Sequence, residues 1–167
     1  MTAEEITKLL TELNDELRLM DIKGEVSLFG GAVMCLVYDA RPATKDVDVI
    51  FRPLEEMRTA IARIAERHGL NKDWMNDAVK GYWVEHKERV LFDLPNLTVF
   101  VPEPDYLLAM KSIAARDISF DREDVQKPIE VLGLTSPDDV FSIIEKYYPR
   151  NQIEPATQYF IEEIFAK

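Results

Sequence analysis

Two aspartates two residues apart, Asp46 and Asp48, stand in the run Asp46-Val47-Asp48-Val49-Ile50-Phe51. In an extended strand this spacing turns both carboxylates to one face, with Val47, Val49 and Phe51 on the other. Burying the pair without partners is costly, or forces a proton onto one member. A divalent cation resolves that cost, because hard Mg²⁺ takes one or two carboxylates and completes its shell with substrate phosphates and water. An edge strand with one wet face resolves it equally well.

Upstream lies a second feature, Gly30-Gly31, which follows the apolar run 26–29 and precedes the apolar segment 32–38. A glycine pair between a strand and a helix lets backbone N–H groups approach a phosphate, helped by the positive end of the helix dipole. Close packing of strand on helix asks for the same residues. The surroundings match neither G-x-G-x-x-G nor a Walker loop, so a dinucleotide fold and a P-loop are both unsupported. Arg41 and Lys45 flank the carboxylates, where they can meet phosphate or offset local negative charge.

The elements that must position these residues follow from periodicity. Ile6, Leu9, Leu10, Leu13, Leu17 and Met20 predict a helix over 3–20, with Thr2 and Glu5 as a capping box and Gly24 beyond its end. Strands are predicted over 25–29 and 45–51, with a short buried helix over 31–38 between them. Leu54, Met57, Ile61, Ile64 and Ala65 mark a helix over 54–68, closed by Gly69. A weaker helix is predicted over 71–80, with Trp74 and Met75 packing, then strands over 83–84, 90–94 and 97–101. Helices over 105–116, 121–132, 136–148 and 155–166 complete the chain, the third opening at Ser136-Pro137-Asp138-Asp139. Strands in the first hundred residues and helices after them predict an α+β (mixed α/β) fold. The expected organisation is one domain over 1–167, with a mixed-sheet core over 1–102 and a helical portion over 103–167.

Composition narrows the setting. A chain of 167 residues with 47% hydrophobic and 31% charged content is long enough to bury a core and ordinary for a globular protein. No apolar run approaches the roughly 20 residues of a membrane helix, and the first ten residues lack a signal-peptide layout. Cys35 is the single cysteine, set among apolar neighbours, which fits a buried thiol in a reducing compartment. The expectation is a cytoplasmic protein with no membrane partner. A net charge of −11 repels nucleic-acid phosphates, so RNA is disfavoured as a partner, while a basic protein partner suits it.

The order of apolar run, Gly30-Gly31, short helix and Asp46-Val47-Asp48-Val49 resembles the nucleotidyltransferase superfamily typified by DNA polymerase β. Fourteen residues separate Gly31 from Asp46. The stretch Arg41-Pro42-Ala43-Thr44-Lys45-Asp46-Val47-Asp48 is similar to stand-alone prokaryotic members related to abortive-infection and type IV toxin–antitoxin nucleotidyltransferases. A looser likeness extends through Trp74 to Lys80, and through Leu107 to Lys111 with Arg116, Asp121 and Asp124, covering about the first 133 residues.

That resemblance implies a nucleotidyltransferase-like fold and Mg²⁺ (or Mn²⁺) held by Asp46 and Asp48. It further implies an NTP whose β- and γ-phosphates meet Gly30 and Gly31, and transfer of its NMP to an acceptor hydroxyl. The acceptor class ranges over an RNA end, a protein side chain and a small molecule. A toxin–antitoxin or phage-defence setting would add an antitoxin-like protein partner. The resemblance also implies a third carboxylate on a neighbouring strand. The strand over 97–101 contains no acid, so Asp93 is the leading catalytic candidate, with Asp77 and Asp124 behind it. Without one, a catalytically weak nucleotide- or protein-binding module is the alternative.

Lys111 sits mid-helix among apolar residues and can reach phosphate as a point charge or snorkel to solvent. Asp121 fits a helix N-cap, and Asn76-Asp77 fit either a local turn or a cleft wall. His68 and His86 lack the partners that zinc would need.

Overall fold

The computed structural model describes residues 1–114 and 122–166; the sequence candidates Arg116 and Asp121 lie outside the described residues. The fold is mixed α+β, with seven α-helices and a five-stranded mixed sheet among the described residues. The chain divides into two compact units, Met1–Gly81 with Glu88–Pro102, and Tyr82–Lys87 with Glu103–Lys167.

The first unit holds the sheet. Helix α1 (Ala3–Leu19) starts at a capping box: the Glu5 N–H donates to Thr2 Oγ1 at 3.2 Å and the Thr2 N–H donates to Glu5 Oε2 at 3.1 Å. Such a cap contributes about 1 kcal/mol. Strand β1 (Gly24–Phe29), helix α2 (Gly30–Leu36), strand β2 (Val47–Arg52) and helix α3 (Leu54–His68) follow. Strands β3 (Met75–Asn76), β4 (Glu88–Asp93) and β5 (Leu97–Pro102) complete the sheet in the order β3-β2-β1-β5-β4. β1 is antiparallel to β2 and parallel to β5.

Alternation then sorts the side chains. Val26, Leu28, Val47, Val49, Leu97, Val99 and Val101 are buried on one face, and α1 and α3 pack on each other and on that sheet. Ile6, Leu10, Leu13 and Leu17 of α1 and Met57 and Ile64 of α3 close the core. Each such side chain contributes on the order of 1.5–3 kcal/mol. On the same helix pair Glu16 is buried to 5% exposure and salt-bridged by Arg63 at 3.5 Å and by Arg67. That carboxylate, hydrogen-bonded to Arg67, raises the guanidinium above its ordinary range.

Two expected elements differ. The segment 71–80 is not a helix: Met75–Asn76 adds a short parallel strand to β2, and Ala78–Gly81 is a 3-10 turn. The Trp74 indole N–H donates to the Ile61 carbonyl at 3.1 Å, while the Val47 N–H donates to the Trp74 carbonyl at 2.8 Å. Asn71 and Asn76 meanwhile accept from the N–H groups of Asp73 and Ala78, a local bonding that competes with helix. The pair 83–84 is not a strand either, because tyrosines of the second unit capture its backbone. The Val84 N–H donates to Tyr106 Oη at 3.1 Å, and Tyr148 Oη donates to the Tyr82 carbonyl at 2.5 Å.

The second unit consists of α4 (Pro104–Ala114), α5 (Arg122–Leu132), α6 (Pro137–Glu145) and α7 (Pro155–Phe165), with residues 82–87 laid against Tyr106. α4 packs on α5 and α6, and α7 packs on α6. The His86 ring stacks on Tyr106 at 3.6 Å between centroids, and Tyr147 donates to Asp105 Oδ2 at 2.6 Å. Burial and that bond to an anion both push the Tyr147 hydroxyl up from its ordinary range. No helix among the described residues is long and apolar enough to cross a membrane.

The β3 attachment hangs on Trp74. Trp74→Phe removes the buried indole donor and part of the ring. The expected cost is about 2 kcal/mol, read as a fall of roughly 4–8 °C in melting temperature. An unchanged melting temperature would show that the indole does not anchor this edge.

Candidate functional site

The site is built where β1 runs out. Register pairs Phe29 at the end of β1 with Asp48 near the start of β2. The next residue, Gly30, adopts φ +61°, a left-handed conformation that costs other L-residues about 1–2 kcal/mol. A Cβ on Gly30 would lie 2.6 Å from Asp48 Oδ2, so the missing side chain is the space the carboxylate uses. Gly31 is constrained from the other side: its Cβ would lie 2.5 Å from Thr44 Oγ1 and 2.7 Å from Arg41 Nη1. Both glycines are buried, and the atoms nearest their missing Cβ positions belong to polar side chains.

Residues 41–46 form the loop that supplies those side chains. Its backbone is tied to the start of the chain, with Ala43 bridged to Thr2. The Thr44 N–H donates to the Met1 carbonyl at 2.9 Å, and Met1 N donates to the Thr44 carbonyl at 2.6 Å. Thr44 Oγ1 donates to the Asp46 carbonyl at 3.1 Å. Lys45 and Asp46 are exposed, and Asp48 is half-buried. The strand expected from residue 45 therefore starts two residues later, at Val47, and Asp46 sits on the bend before it. Strict alternation consequently describes Asp48, Ile50 and the buried Val47, Val49 and Phe51, but does not extend to Asp46.

Among the described residues, no three Asp, Glu, His or Cys side chains gather closely enough to hold a metal ion. The donors this end of the sheet offers are the hard oxygens of Asp46 and Asp48, with the glycine cradle beside them. That set fits a cation that draws its remaining ligands from phosphate and water, as Mg²⁺ does, and does not fit zinc.

The sheet register settles where the other acids lie. Asp93 pairs with Thr98, Thr98 with Glu25, and Glu25 with Arg52, four residues down the strands from the Phe29–Asp48 pair. Four residues span about 13 Å and three inter-strand steps about 14 Å more, so Asp93 is not brought to Asp48. Its Oδ1 accepts from Thr98 Oγ1 at 3.4 Å. Glu88 stands instead at the glycine end: it pairs with Pro102, and β5 in turn runs parallel to β1 with Ser27 opposite Phe100. Its side chain reaches across β5 to accept from Ser27 Oγ at 2.7 Å, on the face that carries Asp48. Spacing along the sequence contains no signal for Glu88 or Ser27; only the register between β4, β5 and β1 brings them to this face.

The remaining candidates separate. Asn76 is opposite Asp48 on β3, where its side chain also caps the turn at Ala78. Asp77 is hydrogen-bonded by Lys80 at 3.0 Å, which holds its carboxyl below the usual range, and Arg58 lies 3.7 Å away. Lys111 belongs to the second unit, where its Nζ lies 2.6 Å from Asp124 Oδ2 in an ion pair joining α4 and α5. The structure thus brings together Gly30, Gly31, Arg41, Thr44 and Asp48, with Lys45 and Asp46 on the same loop.

Compared with known families, residues 4–159 match a family model described as "Nucleotidyltransferase of unknown function (DUF6036)". No curated protein and no solved structure matches the chain.

The two glycines make separable demands. Gly30→Ala combines a left-handed backbone with a Cβ driven at Asp48, and is expected to destabilise by about 1–2 kcal/mol. Gly31→Ala lacks the backbone penalty and is expected to cost less while displacing Arg41 and Thr44. Urea unfolding of both variants reads the difference, and equal midpoints for Gly30→Ala and wild type would refute the close approach.

Proposed function

Because the chain belongs to this nucleotidyltransferase family, we propose that it transfers a nucleoside monophosphate from an NTP to an acceptor hydroxyl with Mg²⁺ (or Mn²⁺). The observation that carries this reading is the glycine pair at the end of β1, lodged between Asp48 and the Arg41–Thr44 side chains. Gly30 and Gly31 let phosphate oxygens approach the backbone, and Arg41 can meet them with its planar fork of donors. Lys45 adds an exposed positive charge on the same loop. Asp46 and Asp48 would hold the cation, which supplies neutralisation of the phosphate charge. In the reaction the acceptor oxygen bonds to the α-phosphorus, the bridge to the β-phosphate breaks, and pyrophosphate leaves. Glu88, on the Asp48 face of the sheet, is the proposed acceptor of the hydroxyl proton.

The proposed partners are an NTP, an acceptor hydroxyl on RNA, protein or a small molecule, and an antitoxin-like protein if the setting is toxin–antitoxin or phage defence. A net charge of −11 favours a small or protein acceptor over a long RNA. One observation favours a second reading, a module that binds nucleotide with little transfer: only two of the acids at this end share one loop and strand start, and no set of three gathers among the described residues.

Labelled NTPs incubated with Mg²⁺ and candidate acceptors test the reading. Asp46→Ala and Asp48→Ala are expected to lower label transfer by on the order of 10²–10³-fold, the scale of losing one electrostatic stabiliser. Equal transfer by wild type and variants, or none from any NTP, would sink the enzyme reading; NTP binding without transfer would favour the second. Glu88→Gln separately is expected to lower kcat by roughly 10²-fold or more with KM little changed. An unaltered kcat would remove Glu88 from the reaction.

A further inference from the structure

One side chain touches both halves of the site. Thr44 Oγ1 donates to the Asp46 carbonyl at 3.1 Å, and the same oxygen lies 2.5 Å from where a Gly31 Cβ would stand. Thr44 is itself fixed twice over by its main chain, through the paired bonds with Met1 at 2.9 and 2.6 Å. Branching at Cβ restricts its χ1, and its hydroxyl is held by the bond to the Asp46 carbonyl. Asp46 has no strand pairing of its own, because β2 begins at Val47. Its backbone is therefore referenced to the glycine turn through the Thr44 hydroxyl.

We propose that Thr44 is a positioning residue, setting the Asp46 carboxylate relative to Gly31 so that cation and phosphate meet in one place. It acts through Asp46 and Gly31 rather than on the substrate. Groups standing behind a ligand in this way commonly change metal affinity by 10- to 100-fold when removed, without being ligands themselves. The inference rests on the reading of Asp46, Asp48 and the glycine pair as a metal–nucleotide site.

The test compares Thr44→Val, Thr44→Ala and Thr44→Ser. The first two remove the hydroxyl, the third keeps it, and all keep the main-chain bonds to Met1. Calorimetric titration with Mg²⁺ and a non-hydrolysable NTP measures affinity, and melting without ligand measures the fold. Thr44→Val and Thr44→Ala are expected to bind roughly 10- to 100-fold more weakly than wild type. Thr44→Ser is expected within about threefold of wild type, and the apo melting temperatures within about 4 °C of it. Binding by wild type with Thr44→Val unchanged, or with Thr44→Ser as weak as Thr44→Val, overturns the inference and leaves the nucleotide reading intact. Variants that no longer fold without the hydroxyl overturn it too, since Thr44 would then be a structural clamp. No binding by wild type, at any Mg²⁺ concentration, overturns the nucleotide reading first.

Discussion

The first unit depends on one steric fact, the pairing of Phe29 with Asp48 across β1 and β2 next to a residue that has no side chain. With a Cβ on Gly30, the Asp48 carboxylate and the end of β1 could not both keep their places. The left-handed turn at Gly30 then redirects the chain into α2, and Gly31 repeats the arrangement against Arg41 and Thr44. Asp48, Arg41 and Thr44 all stand against these two backbone positions. A core can tolerate many apolar exchanges of similar volume, whereas a Cβ at either glycine requires the Asp48, Thr44 or Arg41 side chain to shift.

What keeps that contact in register is ordinary packing. Val26 and Leu28 on β1, and Val47, Val49 and Phe51 on β2, are buried on the opposite face from Asp48, so slipping either strand by one residue would expose the core row. α1 and α3 pack on that row and are joined to each other by Glu16 between Arg63 and Arg67. The apolar face thus fixes the polar one, while Ala43 and Thr44 of the loop 41–46 are tied by their backbone to Thr2 and Met1.

The charge pattern has the same logic. The chain has 31 acids and 20 bases, so the proposed anionic ligand would need positive groups concentrated where it binds. Arg58 and Lys80 are engaged by Asp77, and Lys111 by Asp124. Arg41 Nη1 stands over Gly31, and Lys45 is exposed on the same loop. The proposed nucleotide reading draws on these two side chains.

Local chemistry was legible from residue types: the capping box at Thr2, the periodic helices, the apolar strands and the glycine pair before the aspartates all depend on neighbours within a few positions. So did the mixed α+β class and the nucleotidyltransferase likeness carried by Gly30, Gly31, Asp46 and Asp48. Segment 71–80 is not a helix because its helical composition yields to Trp74, whose partner Ile61 lies 13 residues away. Asp93 and Glu88 are both acids on one strand, and nothing in their spacing ranks one above the other. Strand direction does: β4 runs antiparallel to β5, so its first residue reaches the glycine end and its last residue the other. Sequence by itself determined the local elements and the candidates Gly30, Gly31, Asp46 and Asp48. Which of them share one face and one end was decided only by the pairing of strands distant in the chain, because register is a long-range property.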